Sequence, residues 1–251
     1  MRLALMSDIH GNIQALDACL HHARAQKAQR FAFLGDMVGY GADPEAVLER
    51  IMLLTEEGAT VLKGNHDAMA VNPPAEVKNV GASTATWTHD QLSPEQREWL
   101  DALPLSAQLD KILLVHASAD GPELWRYVYD ERAASASLDA AASQWEGVRY
   151  VFGGHVHEQS LYYRGSTASL MKFTPQPGVA VPVPSHRQWL STVGSVGQPR
   201  DGKPEAMYAL IDTERWLLTF HRVPYDHVAA AWAIRAAGLP HYFADRLEQG
   251  R

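Results

Sequence analysis

Leu62-Lys63-Gly64-Asn65-His66-Asp67 follows the β-branched pair Thr60-Val61. The pattern predicts a buried strand that ends here, a glycine that frees the backbone, and then an amide, an imidazole and a carboxylate in succession. All three can bind a metal ion, and the last two can also move a proton. Asn and Asp are equally good helix N-caps, so on these residues alone a cap competes with a reactive site. The other strand ends decide between the two.

Leu3 to Met6 is a short apolar run, expected as a buried strand that ends at Ser7-Asp8. Ile13, Leu16, Leu20 and Ala23 then recur at helical spacing and predict a helix over Asn12 to Arg24. Phe31 to Leu34 is the second strand, stopped by Gly35-Asp36. Asp43 caps a helix with Pro44 in its first turn, running to Leu54, and Ala59 to Leu62 is the third strand. The β-α-β-α-β rhythm, with polar residues just past each strand, points to a sheet that carries ligands at its carboxyl edge.

Asn79 to His89 and Pro94 to Leu100 read as two helices, the second capped by Ser93. Leu105 to Leu109 and Lys111 to Val115 read as strands around an Asp110-Lys111 turn, and the second ends at His116. Residues 118–146 hold several aromatic residues beside an Ala/Ser-rich helix and are expected to roof a site. Tyr150 to Phe152 is a further strand, stopped by Gly153-Gly154. From Glu158 onward, Ser160 to Tyr163, Trp189 to Val193, Met207 to Asp212 and Trp216 to Val223 suggest an antiparallel meander. Thr174 to Pro184 reads as an irregular loop or edge, and the chain closes with a helix over Tyr225 to Ala237 and a frayed tail.

The chain has 251 residues, 46% hydrophobic and 20% charged, which suits one large core, so a single domain over 1–251 is expected. A formal net charge of −7 without a basic run argues against an extended nucleic-acid surface, but not against local handling of a phosphate. The single cysteine, Cys19, excludes an internal disulfide framework and a thiolate metal cage, and its apolar neighbours mark it as a core residue. No segment has the uninterrupted apolar length of a membrane span, and a cytoplasmic protein with no membrane partner is the expectation. Composition leaves a homo-oligomer open. The seven tryptophans are dispersed and read as core, and the unusual count is twelve histidines.

Five of those histidines stand at strand ends, His10, His66, His116, His155 and His157, and all but His116 have a glycine or an acid beside them. Residues two apart on extended backbone share a side, so Asp8 with His10, and His155 with His157, are each expected to converge on one ion. Oxygen and nitrogen donors without sulfur suit Mn, Fe, Ni, Co or Zn, with Mn or Fe favoured. Seven ligands exceed one ion with an open position, so two divalent metal ions are expected, with Asp36 able to bridge them. Two such ions, less two carboxylates and a bridging hydroxide, leave roughly one positive charge for an anionic phosphoryl group.

In this order, Ser7 to Asn12 (S-D-I-H-G-N), Gly35 to Gly41 (G-D-M-V-G-Y-G), Gly64 to Asp67 (G-N-H-D), His116, Gly154 to His157 (G-H-V-H) and Gly194 to Gly202 (G-S-V-G-Q-P-R-D-G) resemble the calcineurin-like metallophosphoesterase superfamily, and within it the bacterial and archaeal branch of small predicted phosphodiesterases. The resemblance implies an α/β fold, a four-layer αββα sandwich of two mixed β-sheets flanked by helices, with the metal site at the carboxyl ends of strands. It implies that Asp8, His10, Asp36 and His157 hold a first metal, and that Asp36, Asn65, His116 and His155 hold a second. His66 would face the scissile phosphate as general acid or phosphate-binding group, and Asp67 would orient its ring. A metal-bridging hydroxide would attack phosphorus in line. Two departures matter: Ala117-Ser118 follows His116 where the family commonly has glycine, and the loop Met37 to Gly41 lacks the arginine of protein serine/threonine phosphatases, which weakens a phosphoprotein reading.

Asn12 and Tyr40 adjoin these ligands and are candidates for substrate contact, with helix capping and packing as the plainer roles. Arg200 is a third candidate. The glycines and proline of Gly197 to Gly202 are explained at least as well by a turn that an Arg200–Asp201 pair holds, and that explanation is favoured. Stretches 118–146 and 164–187 carry the least pattern and are expected to shape the pocket. The expected partner is a small phosphate ester. Cleavage of a dinucleoside polyphosphate or nucleotide pyrophosphate, and a non-catalytic metal-binding scaffold of the same fold, are the alternatives.

Overall fold

The computed structural model describes residues 1–77, 80–165 and 169–251. Strand β1 (Arg2–Met6) is the axis of the fold, because alternation sends its side chains into two different cores. Leu3 and Leu5 pack between two sheets, whereas Ala4 and Met6 pack beneath helices. Each fully buried side chain of leucine size removes enough apolar surface from water to stabilise the fold by roughly 1.5–3 kcal/mol.

β1 runs parallel to β2 (Arg30–Phe33), and β2 runs parallel to β3 (Thr60–Val61). The crossovers are α1 (Ile13–Ala25) and α2 (Pro44–Glu56), whose buried Leu16, Leu20, Leu48 and Ile51 cover the outer face of this sheet. On the other side β1 pairs antiparallel with β11 (Ala206–Asp212), followed by β12 (Leu217–Val223) and the edge strand β9 (Ala180–Pro182). The second sheet has the order β4 (Ser106–Leu109), β5 (Ile112–Val115), β6 (Tyr150–Gly153), β10 (Gln188–Val193), β7 (Gln159–Arg164), β8 (Leu170–Phe173). Its middle strands β5, β6 and β10 are parallel and its outer pairs antiparallel. Ala134, Leu138 and Ala141 of α6 (Glu131–Gln144) cover its outer face. Two mixed sheets between helical layers make the expected αββα sandwich.

Several local expectations are corrected. The strands after Glu158 do not form one meander: β7, β8 and β10 join the second sheet and β9, β11 and β12 the first, with β10 parallel to β6. A two-residue period reports which face is buried but not which strand is the neighbour. Thr174 to Pro184 contains β9, and β8 precedes it; both are short edge strands with little apolar pattern. The start of the helix expected at Asn79 lies outside the described residues. Val80–Thr84, which contains Gly81, is a 3-10 turn, and α4 (Ala85–Gln91) begins only after it. The tail is not frayed: α8 (His241–Gln249) buries Phe243, Ala244 and Leu247 against α7 (His227–Ala236) and Tyr40. Trp232, read as core, is 70% exposed on α7. Cys19 is buried as expected.

His221 on β12 is buried, stacks on Tyr208 at 4.8 Å and leaves Nε2 without a hydrogen-bond partner. Burial, with the nearby His22 adding to it, pushes the imidazole down to about 4. An unfolded histidine titrates near ~6.5, so as pH falls below that value the unfolded chain gains a proton that the folded chain refuses, and stability is lost through the window down to about 4. Urea unfolding of His221→Phe between pH 7 and 4 should therefore show a shallower acid loss of stability than the parent, with no difference in slope above pH 7.

Candidate metal centre

The strand ends do not continue as extended backbone. Asp8, His10, Asp36, His155 and His157 have φ of +55°, +50°, +54°, +68° and +61°. The expected convergence of residues two apart is therefore produced by left-handed turns, a conformation unfavourable for side chains with a Cβ and held only by the surroundings. Those surroundings are a seam of backbone bonds: Asp8 N–H donates to Gly35 O at 3.0 Å, His10 N–H to Asp36 O at 3.0 Å and Gly11 N–H to Met37 O at 2.9 Å. Two glycines serve space rather than turning. A methyl group on Gly64 would overlap the Asp36 carboxylate and backbone nitrogen, and one on Gly154 would overlap Ser7 Oγ and Asp8 Oδ2.

All seven candidate ligands meet in one place. His157 Nε2 lies 3.1 Å from Asp8 Oδ1 and 3.1 Å from His10 Nε2. His116 Nε2 lies 3.1 Å from Asn65 Oδ1 and 3.2 Å from His155 Nδ1. Asp36 Oδ2 stands between the two sets, 3.8 Å from His10 Nε2 and 3.4 Å from His116 Nε2. Donors about 2.0–2.2 Å from one ion would be separated from each other by roughly 3–3.5 Å, which these spacings approach.

The hydrogen bonding fixes which ring nitrogens are free. Nδ1 of His10, His116 and His157 donates to the carbonyls of Val38, Leu34 and Gln198 at 3.2, 2.8 and 2.6 Å. In the neutral ring this leaves each Nε2 as a lone pair turned inward. Lone pairs thus face lone pairs and carboxylates, and Asp8 Oδ1 is buried without a hydrogen bond. The residues present fit a cation, and two sets sharing Asp36 fit two.

The titration behaviour agrees. Burial works to raise Asp8 and Asp36, but His157 facing Asp8 and His116 facing Asp36 override it and hold both below the usual carboxylate range. Burial works to lower His116, and the Asp36 carboxylate overrides it and raises the imidazole to about 9. Burial depresses His10, His155 and His157. The cluster draws in positive charge, and only some of its rings accept it as protons.

Asp67 differs from its expected job. Its Oδ2 accepts from the N–H of Asp36 and Gly64 at 2.8 Å each, and its Oδ1 from Met37 and Val38 at 2.9 and 3.3 Å. Both oxygens are taken by backbone, so Asp67 holds the Asp36 loop and caps α3 (Asn65–Val71) rather than aiming the His66 ring. The His66 ring sits between Tyr40, 4.3 Å away, and His10, 5.0 Å away, and burial pushes it down to about 4 against the pull of Asp36. The His66 backbone N–H donates to Asp36 Oδ1 at 2.8 Å.

Asn12 is not free for substrate: Oδ1 accepts from Ala15 N–H at 3.0 Å, and Nδ2 donates to Gly197 O at 3.0 Å and to the Tyr225 hydroxyl at 3.2 Å. The favoured Arg200–Asp201 pair does not form either. Asp201 pairs with Arg222, while Arg200 turns toward Tyr40 and a cavity of about 750 Å³. Tyr40, Asn65, His66 and His155 line that cavity too. Trp125 and Tyr127 provide a wall from 118–146, Tyr127 stacking on His155 at 4.0 Å. No described residue of 164–187 lines it; Arg246 of α8 does. Sequence reading placed Trp125 in the core with the other tryptophans and passed over Tyr127 and Arg246, although the aromatic run Trp125 to Tyr129 was a signal for the first two. Arg246 had none, because an arginine in a tail reads as solvated.

Residues 1–215 match the calcineurin-like phosphoesterase superfamily domain. An uncharacterized protein of Methanocaldococcus jannaschii is 29% identical over 255 aligned positions, covering 99% of this chain and 98% of that protein. A metallophosphoesterase from Sphaerobacter thermophilus, whose crystal structure is solved, superposes with a TM-score of 0.86 at 33% identity, covering 100% of this chain and 99% of that one. A hypothetical protein from Pyrococcus horikoshii OT3 superposes at 0.79 with 21% identity, covering 100% and 98%.

Asp67→Asn would turn an amide N–H₂ toward backbone N–H donors. The expected outcome is a loss of roughly 1.5–3 kcal/mol in urea unfolding and weaker metal uptake, with the far-UV spectrum retained. Unchanged stability would show that the four backbone bonds are dispensable.

Proposed function

The chain belongs to the calcineurin-like phosphoesterase superfamily, and on that premise we propose that it hydrolyses a small phosphate ester at a centre of two divalent metal ions. The observation that carries this reading is the placement of Asp36 Oδ2 between two sets of donors, 3.8 Å from His10 and 3.4 Å from His116. Asp8, His10, Asp36 and His157 would hold one ion, and Asp36, Asn65, His116 and His155 the other. When bound, such ions withdraw charge from phosphoryl oxygens and lower the pKa of water. The nitrogen and oxygen donor set favours Mn or Fe.

His66 is the residue we assign to the reacting phosphoryl group. It lines the cavity beside Asn65 and carries no ring hydrogen bond to another described residue. With its pKa down at about 4 the ring is neutral at pH 7 and offers an N–H to a phosphoryl or leaving oxygen. An arriving phosphate brings negative charge and raises that pKa, so the ring's proton affinity grows when substrate binds. Tyr40 packs His66 from the side, and burial raises its hydroxyl to about 12, so it stays a neutral hydrogen-bonding group. Arg200 beside it places a positive charge on the cavity wall.

A small ester is favoured over a polymeric one by the net charge of −7 and the absence of a basic run. Residues 1–251 are read as one phosphoesterase domain, with Trp125, Tyr127 and α8 shaping its cavity. Among the described residues no helix is long and apolar enough to cross a membrane.

Manganese-loaded protein should hydrolyse p-nitrophenyl phosphate or its diester. His66→Ala should keep its metal content by elemental analysis while turnover falls about 100- to 10,000-fold. Asp36→Asn should lose both metal and activity. Full turnover by Asp36→Asn after chelator treatment would sink the two-metal reading.

A further inference from the structure

Arg200 and Arg246 reach the cavity from different parts of the fold, the loop after β10 and the helix α8. No ion pair joins either of them to an acid among the described residues, whereas the part-buried Arg164, Arg222 and Arg235 each have one; the part-buried Arg97 and Arg187 also lack one, but neither lines the cavity. Arg200 Nε is buried and has no acceptor, and its guanidinium hydrogen-bonds two neutral groups, Gln198 Oε1 at 3.1 Å and the Tyr40 hydroxyl. Arg246 lies over the Tyr242 ring at 5.2 Å and donates Nε to the carbonyl of Arg251. The two cations act on each other: burial and the charge of Arg200 both lower the pKa of Arg246. Like charges in a half-buried wall with no Asp or Glu paired to them among the described residues are unfavourable, and an anionic ligand relieves them.

Their positions differ relative to the metal ligands. The Arg200 backbone N–H donates to the His157 carbonyl at 3.3 Å, and the charge of its guanidinium helps to lower His157, so Arg200 adjoins the metal centre. Arg246 approaches from α8, outside residues 1–215 that match the family domain. One carboxylate satisfies one guanidinium fork, whereas a phosphoryl group with three free oxygens can accept from two forks that come from separate elements.

We propose that the cavity takes a phosphate ester carrying a second phosphoryl group, which Arg200 and Arg246 bind while the reacting phosphoryl lies at the metal centre, and that Arg246 is the residue that sets this preference. The inference rests on the phosphoesterase reading for its catalytic half only. Tyr242 supports Arg246 through its ring face, and Phe243 stacks on Tyr40 at 4.8 Å, so α8 is fixed against the cavity wall.

The test has two arms. In the first, isothermal calorimetry on metal-free full-length protein compares inorganic pyrophosphate, inorganic phosphate and malonate. Pyrophosphate should bind at least about tenfold more tightly than either other anion, and Arg246→Gln should abolish that margin while Arg246→Lys keeps part of it. In the second, the manganese-loaded enzyme is assayed on a nucleoside 3′,5′-bisphosphate and on the matching monophosphates. The ratio of kcat/KM for the two classes should fall at least about tenfold in Arg246→Gln, mainly through KM. Equal binding of the three anions, tighter binding of malonate, or a ratio within twofold of the parent would overturn the proposal. A parent enzyme that hydrolyses none of these esters but still binds pyrophosphate through Arg246 would refute the phosphoesterase reading and leave the anion site standing.

Discussion

Asp67 is a buried carboxylate that makes no ion pair among the described residues, and the centre depends on it. Its two oxygens collect four backbone N–H groups from Asp36, Met37, Val38 and Gly64. Those bonds tie the loop after β2 to the start of α3, and so place Asp36 and Asn65 from one side and the other. A neutral side chain could not accept from four donors with only its oxygens turned inward. Burial and the neighbouring Asp36 raise its pKa to about 7, with the donated N–H groups of Gly64 and Val38 pulling the other way. Packing the donors around it is what lets a carboxylate remain there at all.

Around this anchor the strand ends are bent into left-handed turns at the ligand residues themselves. That conformation costs about 1 kcal/mol or more at each non-glycine residue, and the seam from Gly35, Asp36 and Met37 to Asp8, His10 and Gly11 offsets it. Turning each strand end over aims alternate side chains at one point. The glycines let the loops approach so closely that any side chain would collide, as at Gly64 against Asp36. Strain and close approach serve the same end, which is to hold buried carboxylates and lone pairs together against their repulsion.

The cavity above continues this electrostatic pattern. Asn65, His66 and His155 line it from the donor cluster, aromatic rings from Trp125 to Tyr129 stand beside them, and Arg200 and Arg246 line it as well. On the proposed reading, an anionic ester would bind between the metal charge and these guanidinium groups. The overall negative charge of the chain does not conflict with this, because two arginines and no Asp or Glu are among the described residues that line the cavity.

The chain sequence by itself determined the first three strands with their crossover helices and the set of strand-end donors, from Asp8 to His157. Those features are local: hydrophobic period, capping residues and Gly-Asp, Gly-Asn-His-Asp and Gly-His-x-His clusters are read within a few residues of each other. Tertiary structure alone decided that β7, β8 and β10 part from β9, β11 and β12, that Asp67 bonds backbone rather than His66, that Asn12 is consumed as a cap, and that Asp201 leaves Arg200 for Arg222. It also decided that α8, legible only as a polar tail, brings Arg246 to the cavity. The reason is common to all of them. A side chain's partner is chosen by what the folded chain brings within about 3 Å of it. For Arg200 and Arg246, which lie 46 residues apart in the chain, no local pattern records that meeting.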